Sequence, residues 1–431
     1  MDEIKGLMAF LDRVPTAFQA VGDICAQLDA AGFEALSERE SWALVPGGKY
    51  YVTRNQSSVI AFRIPQRGFS HFQIVASHCD SPAFKLKPNA AHEAQGYAML
   101  NVEKYGGMRL NTWLDRPLGV AGRIIVHEDG RLVTKLVDCR RALALIPNMP
   151  VHFRNKSGEE PELNPQVDLL PVIGATGTDV MDAVAAAAGV DKADIAGTDL
   201  FLVNTEKATL WGVNDEYIAS GRLDDLECAY ASVRALISAA PSGHIDMACV
   251  FDNEEVGSGT KQGADSTLLT DVLCRVGAAL GADAQALTAA VSGSFMLSAD
   301  NAHAVHPNHP EKYDVENRTR MNEGVVVKFN ANQRYTTDGV SAAVFESICR
   351  RAGVPTQRYA NRSDIPGGGT LGHIANAHAS MNTADIGLAQ LAMHSAYECA
   401  GAQDLSHMIN AMRAFHEAEI EVLSDGEIRL G

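Results

Sequence analysis

Paired cysteines, long apolar runs and an excess of basic charge are all missing from this chain, and each absence removes a class of protein. The eight cysteines are scattered without a CxxC spacing. That speaks against a dense disulfide framework and a thiolate metal site. A chain of this length needs no covalent staples, so reduced thiols in the cytoplasm are expected. No apolar run approaches the roughly 20 residues of a membrane span. The opening MDEIKGLMAF lacks the basic start and long apolar stretch of a secretory leader. Acidic residues number 53 against 36 basic, for a net charge of −17, which disfavours nucleic acid and anionic membrane as partners. The same imbalance means that any acidic substrate needs a cation placed locally.

What is present suits a large globular protein. At 431 residues and 46% hydrophobic content the chain can bury more than one core, and two domains are expected. Residues 1–36 read as helix, with Pro15 interrupting it. Tyr50–Val52, Val59–Phe62 and Phe72–Ser77 read as strands. From about Pro88 to Leu210 the character changes to short β-type runs (Gly122–His127, Leu132–Leu136), proline-rich joints such as IPNMP and a polar loop from Asn155 to Gln166. A short helix is expected in MDAVAAAAGV. From Ser220 strands and helices alternate: helix from Leu226 to Ala240, strand from His244 to Phe251, helix from Ser266 to Leu280, strand from Ala289 to Ser298. A strand from Val325 to Phe329 and a helix from Val340 to Ala352 follow, then helix from Leu388 to Val422 with a break near Ala402. This rhythm predicts an α/β fold, a mixed or parallel sheet flanked by helices. The expected division is residues 1–88 with 211–431 as one discontinuous domain, and 89–210 as an inserted β-rich domain.

Metal-type residues gather where strands end. Glu254-Glu255 follows the apolar run Met247–Phe251. One carboxylate of such a pair can hold a metal while the other handles protons on its water, although exposed Glu-Glu pairs are common. His78-x-Asp80 closes another strand, and a ligating histidine usually has its second ring nitrogen held by a carboxylate or carbonyl. Asp224-Asp225 opens a helix; one aspartate would serve as a cap, leaving the other free. Asp300, followed by His303 and His306, sits after a further strand. His394 falls on a helical pattern, where a lone histidine is commonly a satisfied core residue. Together these positions lie where open α/β sheets gather ligands, beyond strand carboxyl ends. Histidines with several carboxylates and no cysteine suit a pair of divalent ions.

The segments around these residues carry a resemblance over nearly the whole chain. FLDRVPTAFQAV, ASHCDSPAFKLKP, YGGMRLNTWLDRPLGVAGR, GRLDDLECAY, FDNEEVGSGTKQGADS, SADNAHAVHPNHPEKYD, VVKFNANQRYTTDG, RSDIPGGGTLG and IGLAQLAMHSAYE resemble, in order, the M18 family of metallo-aminopeptidases, the aspartyl aminopeptidase group. The resemblance implies a zinc-peptidase-like catalytic domain with an inserted dimerisation domain. It also implies two Zn²⁺ ions per chain, in a site type that cobalt or manganese also tolerates. His78, Asp224 and Asp300 would hold one ion, and Asp224, Glu255 and His394 the other. Glu254 would be the general base, Asp80 would orient His78, and Asp225 would not be a ligand. A bridging hydroxide would attack the scissile carbonyl, and one ion would receive the substrate's free amine.

The same resemblance implies dimers assembling into tetrahedral twelve-subunit shells that admit short peptides. In such a shell His152 of IPNMPVHFRN would complete a partner's pocket. Removal of N-terminal Asp or Glu is the expected activity, with Lys328 as the cation that reads the acidic side chain and Arg334 as the other candidate. The chain departs from the family pattern at Gly367, where Cys is common, and at Gly369, where Ser or Thr is common. Both fall in a loop expected to shape the substrate pocket. Three rivals share many of these features: an aminopeptidase of neutral or broad preference, a di-zinc deacylase or carboxypeptidase on the same scaffold, and a shell protein without catalysis.

Overall fold

The computed structural model describes residues 2–139, 141–153 and 162–431. Its centre is a nine-stranded sheet. The strand order is Glu34–Leu36, Lys49–Arg54, Ser58–Arg63, Ile245–Phe251, Phe72–His78, Phe295–Ala299, Asn382–Gly387, Val325–Phe329 and Thr356–Ala360. The four middle strands, from Ile245–Phe251 to Asn382–Gly387, run parallel. They are near-continuous apolar runs because both faces are covered. On one face pack Asp2–Arg13, Ala17–Ala30, Leu223–Ser238, Gly339–Ala352 and Asp404–Glu417, around Leu7, Phe10, Phe345 and Phe415. On the other pack Leu268–Ala279, Ala284–Ser292 and Leu371–His378, around Phe62, Phe72 and Phe251. Each such fully buried side chain contributes roughly 1.5–3 kcal/mol, so the sheet is a firm base for whatever its strand ends carry.

A second sheet of six strands, all antiparallel, is built between residues 83 and 204. It has its own core around Phe84, Trp113, Ile124 and Leu202. A smaller five-stranded sheet joins Thr209–Trp211, Tyr217–Ser220, Glu398–Gly401, Ala389–Leu391 and Ala302–His303. Among the described residues no helix is long and apolar enough to cross a membrane.

Most expected elements are found, and the exceptions have physical causes. The first helix does break at 14–16, beside Pro15, whose ring removes a donor and crowds the preceding turn. The stretch expected as a strand from Ala289 to Ser298 is half helix: Ala284–Ser292 is helical, capped by Asp283, and the strand begins only at Phe295. An alanine-rich apolar run satisfies either period, and the Asp283 cap decides it. The helix expected from Leu388 is not there. Residues 388–401 form two short strands around a loop, and helix starts at Asp404. Of the expected polar loop at 155–166, residues 155–161 lie outside the described residues; 162–166 carry no regular element.

Candidate active site

The carboxyl ends of the middle parallel strands converge on one cluster of charge. His78 closes the Phe72–His78 strand, Asp252 to Glu255 follow Ile245–Phe251, and Asp300 follows Phe295–Ala299. Asp224 and Asp225 open the helix Leu223–Ser238 with non-helical backbone angles, which turns their side chains out of the helical ladder. His394 comes from the loop after Ala389–Leu391, with a backbone φ of +63°. That loop replaces the helix expected there, and it is what aims the imidazole at the strand ends.

The side chains meet in three overlapping sets, His78 with Asp224 and Asp300, Asp224 with Glu255 and His394, and His78 with Glu254 and Glu255. Within each set the potential ligand atoms lie within 4.8 Å of one another. His78 Nε2 stands 3.5 Å from Asp224 Oδ1, His394 Nε2 stands 3.5 Å from Asp224 Oδ2, and His394 Nε2 stands 3.4 Å from Glu255 Oε1. These separations are long for hydrogen bonds. They match the edge of a tetrahedron of ligands about 2.0–2.2 Å from a central ion, which is about 3.3–3.6 Å. Among the described residues nothing donates a hydrogen bond to the buried Asp224 Oδ1 and Glu255 Oε1, and buried carboxylate oxygens left so favour a metal ion beside them. The donor set of histidines and carboxylates therefore fits divalent metal, and Asp224 belongs to two of the sets.

Buried charged groups pin the backbone and rings of these residues. His78 Nδ1 lies 3.1 Å from the carbonyl of Asp80 and 3.3 Å from its carboxylate, which leaves Nε2 free on the inner side. The Asp80 carboxylate also accepts the backbone N–H groups of Glu254 at 3.1 Å and Glu255 at 3.2 Å. Asp225 belongs to none of the ligand sets and accepts the N–H of His78. Lys328 donates to the carbonyl of Asp300 at 2.8 Å. Glu398 accepts the N–H of Asp224 through one oxygen and that of His394 through the other.

The electrostatics follow from burial and crowding. Burial, reinforced by Asp300, Asp80 and Asp224, pushes Glu254 up to about 8. Burial also drives Glu255 well above the carboxylate range, helped by Asp224. It works against an ionised Asp224 too, but His394 and His78 on either side hold that carboxyl below its ordinary value. Burial would lower His394, yet Asp224 outweighs it and raises the imidazole to about 9. Glu254 lies at the edge of the cluster, its Oε2 4.0 Å from His78 Nε2. It lines a cavity of about 130 Å³ together with Asp300, His303, Tyr335, Gly369 and Met393.

The expected substrate-reading residues fare unevenly. Lys328 lines this cavity, but its ammonium is already engaged with Asp300. Gly369 lines it as well. Arg334 is exposed and does not line it; its chain instead passes behind Gly369, with its carbonyl 3.8 Å from where a Cβ there would stand. Gly367 has a φ of +70°, which a cysteine would adopt only with strain. His152 sits exposed in the short turn Val151–Phe153, next to residues outside the described set.

Sequence reasoning missed two residues. Tyr105, at the end of the Tyr97–Tyr105 strand of the second sheet, donates to Asp80 Oδ2 at 2.7 Å and accepts from Asn253. After it the chain crosses directly over the cluster. A Cβ on Gly106, whose φ is +75°, would stand 3.1 Å from that of Glu255, so the close approach needs glycine. Glu398, in AYE after the histidine, carries no signal in its surrounding pattern; only the folded chain brings it behind Asp224. A neighbouring cavity of about 150 Å³ between the N-terminal helices and the second sheet shares Asp80, Tyr105 and Asn253 as its wall.

Comparison with known proteins bears on the same site. The family model of aminopeptidase I zinc metalloproteases (M18) matches residues 10–416. The probable M18 family aminopeptidase 2 of Clostridium novyi is 42% identical over 422 residues, covering 95% of this chain and 97% of that one. Among solved structures, Ape4 in its cryo-EM complex with Nbr1 superposes with a TM-score of 0.93 at 34% identity, covering 96% of this chain and 85% of that one. The mApe1 dodecamer of S. cerevisiae superposes with a TM-score of 0.85 at 28% identity, covering 96% of each.

Proposed function

The chain belongs to the M18 family of zinc aminopeptidases, and from that premise we propose that it removes N-terminal residues from short peptides at a two-zinc centre built around Asp224. The observation that carries this reading is Asp224 itself, a buried carboxylate with one oxygen 3.5 Å from His78 and the other 3.5 Å from His394. His78 and Asp300 would complete the ligands of one ion, and Glu255 and His394 those of the other. When bound, the ions would make water acidic enough to attack near neutral pH, polarise the scissile carbonyl and anchor the free amine of the substrate; cobalt or manganese would suit the same donors.

The protein's own groups do the rest. Glu254 takes the proton of the attacking water and returns it to the leaving amine, from its place at the edge of the cluster with Oε2 4.0 Å from His78 Nε2. Asp80 fixes the ring of His78 and the backbone of Glu254 and Glu255, so that base and ligands keep one spacing. Lys328 holds Asp300 in place and presents positive charge to the cavity, which favours an N-terminal Asp or Glu.

A second specificity reading, neutral or broad, draws support from that same contact, because an ammonium committed to Asp300 has less charge to offer a substrate. The inserted segment 89–210 would serve dimerisation, with His152 reaching a neighbouring subunit. A twelve-subunit shell would follow, as in the S. cerevisiae mApe1 dodecamer.

Hydrolysis of aminoacyl against N-acetylated chromogenic substrates tests the reaction class. The aminopeptidase reading expects cleavage of the free-amine substrate alone. Cleavage of only the blocked one would instead identify a deacylase.

A further inference from the structure

Glu398 lines no described cavity and belongs to none of the ligand sets, yet its carboxylate holds the backbone of two members of one set, Asp224 and His394. It sits at the start of the Glu398–Gly401 strand, 2% exposed. Its Oε1 accepts the backbone N–H of His394 at 2.7 Å and its Oε2 that of Asp224 at 3.0 Å. The two chain segments it joins are far apart in sequence and meet in the antiparallel ladder of Tyr217–Ser220 with Glu398–Gly401, where Ser220 faces Glu398. Asp224 opens a helix with irregular backbone, and His394 sits in a loop at positive φ. Asp224 and His394 both lie just outside that ladder, at irregular backbone angles, and one carboxylate ties their two N–H groups together.

The loop around His394 is anchored on its far side as well. Arg109 donates its N–H to the carbonyl of His394 at 2.9 Å, and Thr112 accepts the N–H of Ala396. Those bonds fix the loop against the second sheet. The link to Glu398, added to the ladder of Tyr217–Ser220 with Glu398–Gly401, fixes it against Asp224.

We propose that Glu398 is a positioning residue for the metal subsite formed by Asp224, Glu255 and His394: it sets the spacing of Asp224 and His394 and thereby the affinity of that subsite. The inference rests on the two-ion reading above. The length of the arm matters, not only its charge, because both oxygens must reach a backbone N–H at once. The other subsite shares only Asp224 with this brace. His78 is held by Asp80 and Asp225, and Asp300 by Lys328, so its affinity does not depend on Glu398 in the same degree.

Cobalt(II) titration of the metal-stripped full-length protein, followed by its visible absorption, separates the possibilities. In the unaltered chain two equivalents bind; uptake of only one would overturn the two-ion reading before Glu398 is tested. Glu398→Asp keeps the charge and shortens the arm. The expected result is a first equivalent bound as in the unaltered chain and a second bound about 10–100-fold more weakly, the usual cost of losing a group that orients a ligand. Glu398→Gln keeps the length but presents an amide N–H to one of the two donors, and the same selective loss is expected. If E398Q does not fold, judged by circular dichroism of the stripped protein, E398D alone decides. Two equivalents binding to E398D as in the unaltered chain would overturn the proposal, as would equal weakening of both, because either result leaves charge or general stability as the role of Glu398.

Discussion

Tyr105 donates its phenolic hydrogen to Asp80 across 2.7 Å, and Asp80 in turn holds the ring of His78 and the backbone of Glu254 and Glu255. A residue of the second sheet thus takes part in the scaffold of the cluster through one hydroxyl. Tyr105→Phe removes only that hydroxyl. The variant should fold and keep its metal while kcat falls about 10–100-fold, the range for groups that support a ligand indirectly. Steady-state kinetics alongside metal analysis check this; unchanged kcat would mean that Asp80 needs no support from the second sheet.

Glu254→Gln should remove the base and leave the ligands. Turnover is expected to fall at least about 10²–10⁴-fold, the usual contribution of a positioned proton carrier, with metal content unchanged. Turnover near that of the unaltered chain would refute the assignment of Glu254.

Lys328→Ala separates two roles of one ammonium. If Lys328 reads acidic side chains, the preference for Asp and Glu over Leu at the N-terminus should collapse in a residue scan on short peptides. Its bond to the Asp300 carbonyl predicts in addition a weaker hold on one metal ion. Loss of metal with the preference intact would assign Lys328 to the scaffold alone.

His71 supplies a pH dependence away from the metals. Burial, helped by the neighbouring His244 ring stacked at 5.0 Å, lowers its pKa to about 4. Also facing the pair are Asp246, with Arg63 and His416 against it, and Ser70 at the His71 ring. The unfolded chain would titrate this histidine near 6.5. Between about pH 6.5 and 4 the unfolded state therefore binds the extra proton, and stability rises with pH across that window. Acidification through it should cost roughly 2–3 kcal/mol, at about 1.4 kcal/mol per unit. Urea denaturation of His71→Asn against the unaltered chain checks the sign: the variant should lose less stability on going from pH 6.5 to 4.

How much of the site could be read from sequence follows from where each residue sits. His78, Glu254, Glu255 and Asp300 end strands whose apolar runs are plain in the chain, so strand ends and ligand types point to the same place. Asp224 opens a helix, also visible. His394 is different: LAQLAMHSAYE satisfies a helical period, and the loop that replaces it is set by a local bond to Glu398 and by tertiary bonds to Arg109 and Thr112. Its role came from family resemblance and not from its own pattern. Tyr105 and Glu398 were invisible because a strand tyrosine and a lone glutamate are ordinary surface residues until the fold buries them. The alanine-rich stretch before Phe295 was ambiguous for a related reason, since it favours no period until Asp283 caps it.

Zinc-edge anomalous diffraction from crystals grown with zinc, read beside metal analysis of the purified chain, tests the account most directly. The account predicts two peaks flanking the Asp224 carboxylate, one beside His78 and Asp300 and the other beside Glu255 and His394, and loss of both peaks in Asp224→Ala. A single peak in the unaltered chain, or ions bound away from Asp224, would contradict it.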